Sequence, residues 1–230
     1  MLIKILAIES ATDSCSVALR IGKNTKQSIS MQPRSHSELI LPMVDELMSE
    51  AGLEIKQLDA IAFGCGPGSF TGLRIATGMV QGLAFGSNVP VVAVSSLAVL
   101  AQTAYRLYGI KNLISSFDAR MNEIYWAVYC QNEQGLMELQ GQEKICLPED
   151  VVLEIDNVKF GTGSGGIYLE VFQKKYPQIK DWILECVPEA IDLLDLAVAE
   201  YQKGNRLSPE EALPVYLREA TNWKKLPGRN

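Results

Sequence analysis

The chain has 230 residues, 47% of them hydrophobic, enough to build one large domain or two small ones around a real core. Its 21 basic and 27 acidic residues leave a net charge of −6, the wrong sign for a protein that neutralises nucleic-acid phosphates by itself; in any such role a partner supplies the positive surface. Five cysteines (Cys15, Cys65, Cys130, Cys146, Cys186) are scattered without a CxxC pair, which argues against a disulfide framework or a zinc site and for a reducing compartment.

The opening "MLIKILAIES" has one lysine and an apolar run that breaks at Glu9, too short for a signal-peptide core or a membrane span, so a cytoplasmic protein is expected. Residues 3–10 read as a buried strand, 14–21 as a second, and 25–32 as a third after a "GKN" turn, together an antiparallel meander. Apolar residues at 39, 40, 43, 44, 47, 48 and 51 predict a helix, with Ser35 and Glu38 as a capping box, a kink at Pro42 and a stop at Gly52. The pattern then alternates: strand 59–66, helix 69–86, strand 89–96, helix 96–109, the signature of parallel crossovers. The second half begins again with strands at 112–120, 123–130 and 136–146. A short helix at 148–155, a strand at 158–166 and helices at 167–177 and 188–204 follow, and the tail lies partly extended over the surface. The expected fold class is α/β with two lobes: 1–108 as βββαβαβα, and 109–230 as a reduced copy with the same order of elements.

Histidine occurs once, at His36, near the start of a helix, where a surface or capping role is expected. A zinc centre needs two or three histidines and a Ser-His-Asp device needs one beside its nucleophile, so neither is indicated. "GCGPGSF" is a glycine loop before a helix, but it lacks the Lys-Ser/Thr of a P-loop. The turn "AIESATDS", with Ser10, Thr12 and Ser14, the turn "FDARMNEIYWA", with Asp118, and the glycines of "FGTGSGG", including Gly161 and Gly163, together suit a nucleotide cleft between two halves.

The helix after the glycine loop carries glycine at 72, 78, 82 and 86, each costing about 1 kcal/mol relative to alanine. At about 100° per residue, Gly72, Ala76, Met79 and Leu83 share one face. Thr71, Ile75, Gly78 and Gly82 share the adjacent one, and Arg74, Thr77 and Gln81 mark a polar strip. One face belongs on the sheet. The other packs on the 35–51 helix or meets another subunit, with Gly78 and Gly82 favoured for the subunit side.

"ILAIESATDSCSVAL", "GPGSFTGLRIATG", "FDARMNEIYWAVY" and "LPVYLREATNWKKLPGR" resemble the TsaB family of bacterial tRNA threonylcarbamoyladenosine biosynthesis proteins, from the first strand to the last residues. The resemblance implies an actin-like (ASKHA) fold with a truncated second lobe. It also implies a non-catalytic partner of TsaD, acting with the ATPase TsaE. The complex transfers threonylcarbamoyl from its adenylate to N6 of the adenosine beside the tRNA anticodon. TsaD holds its metal with two histidines of one motif, a site that cannot be assembled around His36 alone. The implied partner face, for TsaD or a second copy, comprises Leu39, Met43, Leu47, Thr71, Arg74, Ile75, Gly78 and Gly82. No metal or resident cofactor is expected, ATP or ADP binding being at most weak and at the complex boundary; tRNA is met only through the complex, and no membrane is involved. The rival readings are an ATP-dependent phosphotransferase using Glu9 and Asp118, a metallopeptidase, and a scaffold with no ligand.

Overall fold

Two meanders, each extended by parallel strands, organise the computed structural model, which describes residues 2–155 and 157–218. In the first, β1 (Lys4–Glu9), β2 (Cys15–Ile21) and β3 (Asn24–Ser30) pair antiparallel, and β4 (Ala60–Gly64) and β5 (Val91–Val94) add in parallel on the other side of β1. The sheet order is β3-β2-β1-β4-β5. The second sheet repeats the scheme with β6 (Asn112–Arg120), β7 (Glu123–Gln131) and β8 (Met137–Cys146) as the meander. Two three-residue strands, β9 (Phe160–Thr162) and β10 (Asp181–Ile183), run parallel to β6, giving β10-β9-β6-β7-β8.

Helices fill the layers between and outside the sheets. On the outer face of the first sheet, α1 (His36–Glu50) and α2 (Phe70–Ser87) bury Ile40, Val44, Met48, Ala76, Val80 and Ala84 against Leu6, Ile8, Ile61 and Phe63. Between the sheets lie α3 (Ser96–Tyr108) and α5 (Ala190–Lys203). Leu193, Leu194 and Ala197 of α5 pack on Ile5, Ala7, Ala62 and Val92, whereas Leu97, Leu100 and Ala104 of α3 pack on Leu113, Phe117 and Tyr129 of the second sheet. The short α4 (Leu169–Lys175) covers the far side with Phe172 against Trp182. The result is a two-lobed, actin-like α/β architecture. Among the described residues no helix is long and apolar enough to cross a membrane.

Several boundaries differ from expectation. The lobe division at 108/109 is corrected: after β10 the chain returns to the first lobe, through α5, a bridge between Leu207 and Val91, and residues 212–216 lying along α2. Periodicity identifies α5 as amphipathic, but not which of two sheets its stripe covers. The capping box at Ser35 and Glu38 is also absent, because Ser35 Oγ donates instead to the Gln32 carbonyl at 2.7 Å. Pro42 lies inside α1, which nonetheless runs as one element; proline has no amide to offer the Glu38 carbonyl, and its ring is exposed. The expected helix at 148–155 is a single 3-10 turn, Pro148–Asp150. The expected strand at 158–166 stops at Thr162, where Gly163 takes a φ of 87°.

Candidate functional site

Gly72 and the later glycines of α2 answer to different constraints. Ser69 caps the helix by accepting from the Gly72 amide at 3.3 Å, and the first turn presses on the β1–β2 turn. A Cβ on Gly72 would lie 2.1 Å from the Ser10 carbonyl oxygen, so this glycine is required by close backbone approach. At Gly78, Gly82 and Gly86 a Cβ would meet nothing within 4 Å, and all three are exposed. Nothing among the described residues accounts for their cost to the helix.

The expected partner face therefore divides. Thr71, Arg74, Gly78 and Gly82 are exposed on α2, with Ile75 and Leu39 half-buried beside them. Met43 and Leu47 are corrected: both are buried in the first-lobe core, since the apolar stripe of α1 faces the sheet. Three residues that the glycine spacing did not single out join this surface. Phe85, 72% exposed, continues the Gly78–Gly82 row one turn on. Phe70 and Tyr216 pack with ring centroids 5.5 Å apart. The Arg74 guanidinium lies 4.0 Å over the Phe70 ring while its Nε donates to the Tyr216 hydroxyl at 3.2 Å. Tyr216 comes from a tail remote in sequence, and only the fold brings it here. The rest of that tail, residues 219–230 with all of "TNWKKLPGR", lies outside the described residues.

The residues read as a nucleotide cleft are largely engaged by the chain itself. Ser10 is fully buried and donates to the Gly72 carbonyl at 2.9 Å. A Cβ on Gly161 would meet the Trp182 ring at 2.2 Å, and one on Gly163 the Ser116 carbonyl at 2.4 Å. Trp182 Nε1 also donates to the Gly163 carbonyl at 2.8 Å. Ser10, Gly161 and Gly163 are thus packed against other parts of the fold, and their small size accommodates protein. Thr12 shares a hydrogen bond with Ser14 Oγ at 2.8 Å, and Asp118 accepts from the Arg120 amide and guanidinium at 3.0 and 3.2 Å.

His36 is not at the surface. It is buried, with Nε2 3.1 Å from the Thr12 carbonyl and 3.2 Å from that of Ser14, so the ring donates there and pins the turn after β1 to the start of α1. At the end of the same strand, Glu9 is wholly buried, accepting from the Ala11 amide at 2.8 Å and from Ser96 Oγ at 3.1 Å. Burial pushes its carboxyl up from 4.5 to about 7, partly offset by those hydrogen bonds. Burial also pushes Cys65 up to about 12 and raises Cys15 and Cys186, which argues against thiolate chemistry. On the side of the interlobe layer, a cleft of about 550 Å³ is lined by Ser95, Tyr129, Leu136, Glu143, Leu196 and Lys203. Its Glu143 accepts from Ser95 and, at 2.6 Å, from the buried Tyr129 hydroxyl.

Comparison with known proteins decides the family. The sequence profile of the TsaD family, tRNA N6-adenosine threonylcarbamoyltransferase, matches residues 25–182. The chain is 37% identical to the tRNA threonylcarbamoyladenosine biosynthesis protein TsaB of Haemophilus influenzae, over 98% of both chains. It is 38% identical to TsaB of Escherichia coli, over 98% of this chain and 99% of that one. The chain belongs to the TsaB family. Among solved structures, YeaZ from Pseudomonas aeruginosa superimposes with a TM-score of 0.86 at 42% identity, covering 94% of this chain and all of that one. A second structure from that organism, an uncharacterised protein described as similar to the peptidase YeaZ, gives 0.88 at 44% identity over the same shares.

Proposed function

We propose that the chain acts in tRNA threonylcarbamoyladenosine biosynthesis as a non-catalytic subunit in the cytoplasm, binding TsaD through the exposed face of α2. The observation that carries this is the pairing of three exposed glycines, at which a Cβ would meet nothing among the described residues, with an ordered Phe70–Arg74–Tyr216 cluster at the head of the same helix. Aromatic residues and arginine are enriched where interface energy concentrates, and glycines let a second backbone come close. Catalysis by the chain itself is disfavoured by its single histidine, held on two backbone carbonyls, and by a Glu9 held by backbone and serine within the fold. The same facts speak against a peptidase. On this reading the chain carries no cofactor of its own, and ATP or ADP is met at the boundary with TsaD. TsaE and tRNA join through that complex, and the same face serves self-pairing when TsaD is absent.

The test is co-purification with TsaD, followed by a tRNA modification assay with TsaE, threonine, bicarbonate and ATP, with a threonylcarbamoyl-AMP synthase supplied. The expected result is a TsaD complex, modification that requires this chain, and none from this chain without TsaD. Modification that proceeds equally without it would sink the proposal, as would peptide hydrolysis by a preparation verified free of TsaD.

A further inference from the structure

The last described segment belongs to neither lobe alone. Gln81 of α2 donates to the Ala212 carbonyl at 3.0 Å, and the Val215 amide donates to the Cys65 carbonyl, just past β4, at 2.7 Å. Tyr216 then joins Phe70 and Arg74. Two residues later Arg218 reaches the second lobe. Its guanidinium donates to the Ala119 carbonyl at 3.0 Å, lies 3.1 Å from Met121 Sδ and pairs with Glu123 at 2.6 Å, with 11% of its side chain exposed. The β6–β7 hairpin that it grips is strained, because Arg120, Met121 and Asn122 are three successive non-glycine residues with φ of 64°, 57° and 61°. Such a run persists only where surrounding contacts hold it. Residues 212–218 thus bridge the mouth between the lobes, from the end of β4 to the tip of the hairpin.

We propose that residues 212–218 form a strap coupling the α2 partner face to the second lobe: Tyr216 is part of the surface that a TsaD subunit covers, and the Arg218–Glu123 latch makes that docking sensitive to the hairpin. The proposal rests on the partner-face reading above. Tyr216 is 46% exposed, yet held by a ring contact and a hydrogen bond to residues of α2, so little side-chain freedom remains to be lost on binding. Because Arg74 touches both Phe70 and Tyr216, any subunit packing on the head of α2 also bears on the strap. A protein suits this surface better than tRNA, since the chain carries a net charge of −6.

The experiment measures binding of purified TsaD by calorimetry to the wild-type chain and to Gly78→Leu, Tyr216→Ala, Arg218→Ala, Glu123→Gln and the charge swap Arg218→Glu with Glu123→Arg. Melting temperatures confirm folding, and hydrogen exchange at residues 119–123 is followed with and without TsaD. Tyr216→Ala, Arg218→Ala and Glu123→Gln are each expected to weaken TsaD by about fivefold or more, a typical coupling between linked sites. The charge swap recovers part of that binding, because it restores the ion pair but not the donation to the Ala119 carbonyl, and TsaD slows hairpin exchange in the wild type but not in Arg218→Ala. If TsaD binds the wild type and loses Gly78→Leu but binds the strap variants normally, the strap is wrong and the partner face stands. If TsaD does not bind the wild type, both fall.

Discussion

Glu9 is the residue whose ionisation the fold resists most legibly. Its carboxylate lies where a Cβ on Gly64 would stand, 2.0 Å from Oε2, and it accepts hydrogen bonds from the Ala11 amide and Ser96 Oγ, with no ion pair to a basic side chain among the described residues. Because its folded pKa is raised from 4.5 to about 7, the native state holds this proton over a range where the unfolded chain has lost it. Its contribution is fully present below pH 4.5 and is lost as pH rises through about 7, amounting to about 3 kcal/mol in all. Glu9→Gln should remove that slope, since the amide oxygen can keep the Ala11 bond while the amino group donates to Ser96. Urea unfolding of both proteins from pH 5.5 to 7.5 checks this: the stability advantage of the variant should grow with pH, and a constant difference would refute the assignment. The glycines of α2 provide a second contrast. Gly82→Ala adds a methyl to open space and should stabilise the chain by about 0.5–1 kcal/mol. Gly72→Ala drives a Cβ into the Ser10 carbonyl and should cost about 1–3 kcal/mol or more, read as opposite shifts in urea midpoint.

At the scale of the element, α2 separates what is legible in sequence from what is not. Its start, length and two small-residue rows follow from spacing alone, and so does the preference for Gly78 and Gly82 as the outward pair. Leucine at either position should leave the monomer folded, because its side chain points away from the core, yet hold a second helix apart. Gly78→Leu and Gly82→Leu should therefore keep the melting temperature within a few degrees and lose TsaD in pull-down; retention of TsaD by both would exclude this face. What spacing could not supply is the status of α1. Met43 and Leu47 look like partner contacts in a list of apolar residues, but an amphipathic helix beside a sheet turns that stripe inward first. Nor could it reveal Tyr216 at the head of α2, a contact 146 residues from Phe70 that only tertiary structure creates. The glycines in and after β9 are ambiguous for a related reason. Sequence shows that something approaches their backbone, and the occupants are Trp182 at Gly161, from a three-residue strand too short to announce itself, and the Ser116 carbonyl at Gly163.

At the scale of the molecule, the repeated order of strands and helices was readable because each half builds its own meander and crossover from local patterns. The return of α5 to the first lobe was not, and it changes how the halves are joined. The helical layer between the sheets is shared: α5 packs on the first sheet, α3 on the second, and Arg106 of α3 pairs with Asp192 of α5 at 2.7 Å beside a hydrogen bond from Thr103 at 2.8 Å. Burial raises the Asp192 pKa while Arg106 and Thr103 oppose the shift, so this contact has a cost that only the intact pair offsets. A chain joined in this way should unfold as one unit, even though each sheet has a core of its own. Leu194, fully buried between α5 and the first sheet, is the position that tests it. Leu194→Ala should cost about 2–5 kcal/mol through lost burial and the cavity left behind. If the lobes are one cooperative unit, the most protected amides of β1 and of β6 lose protection by the same free energy in native-state hydrogen exchange. If the lobes unfold independently, only β1 and its neighbours respond and β6 keeps its wild-type protection.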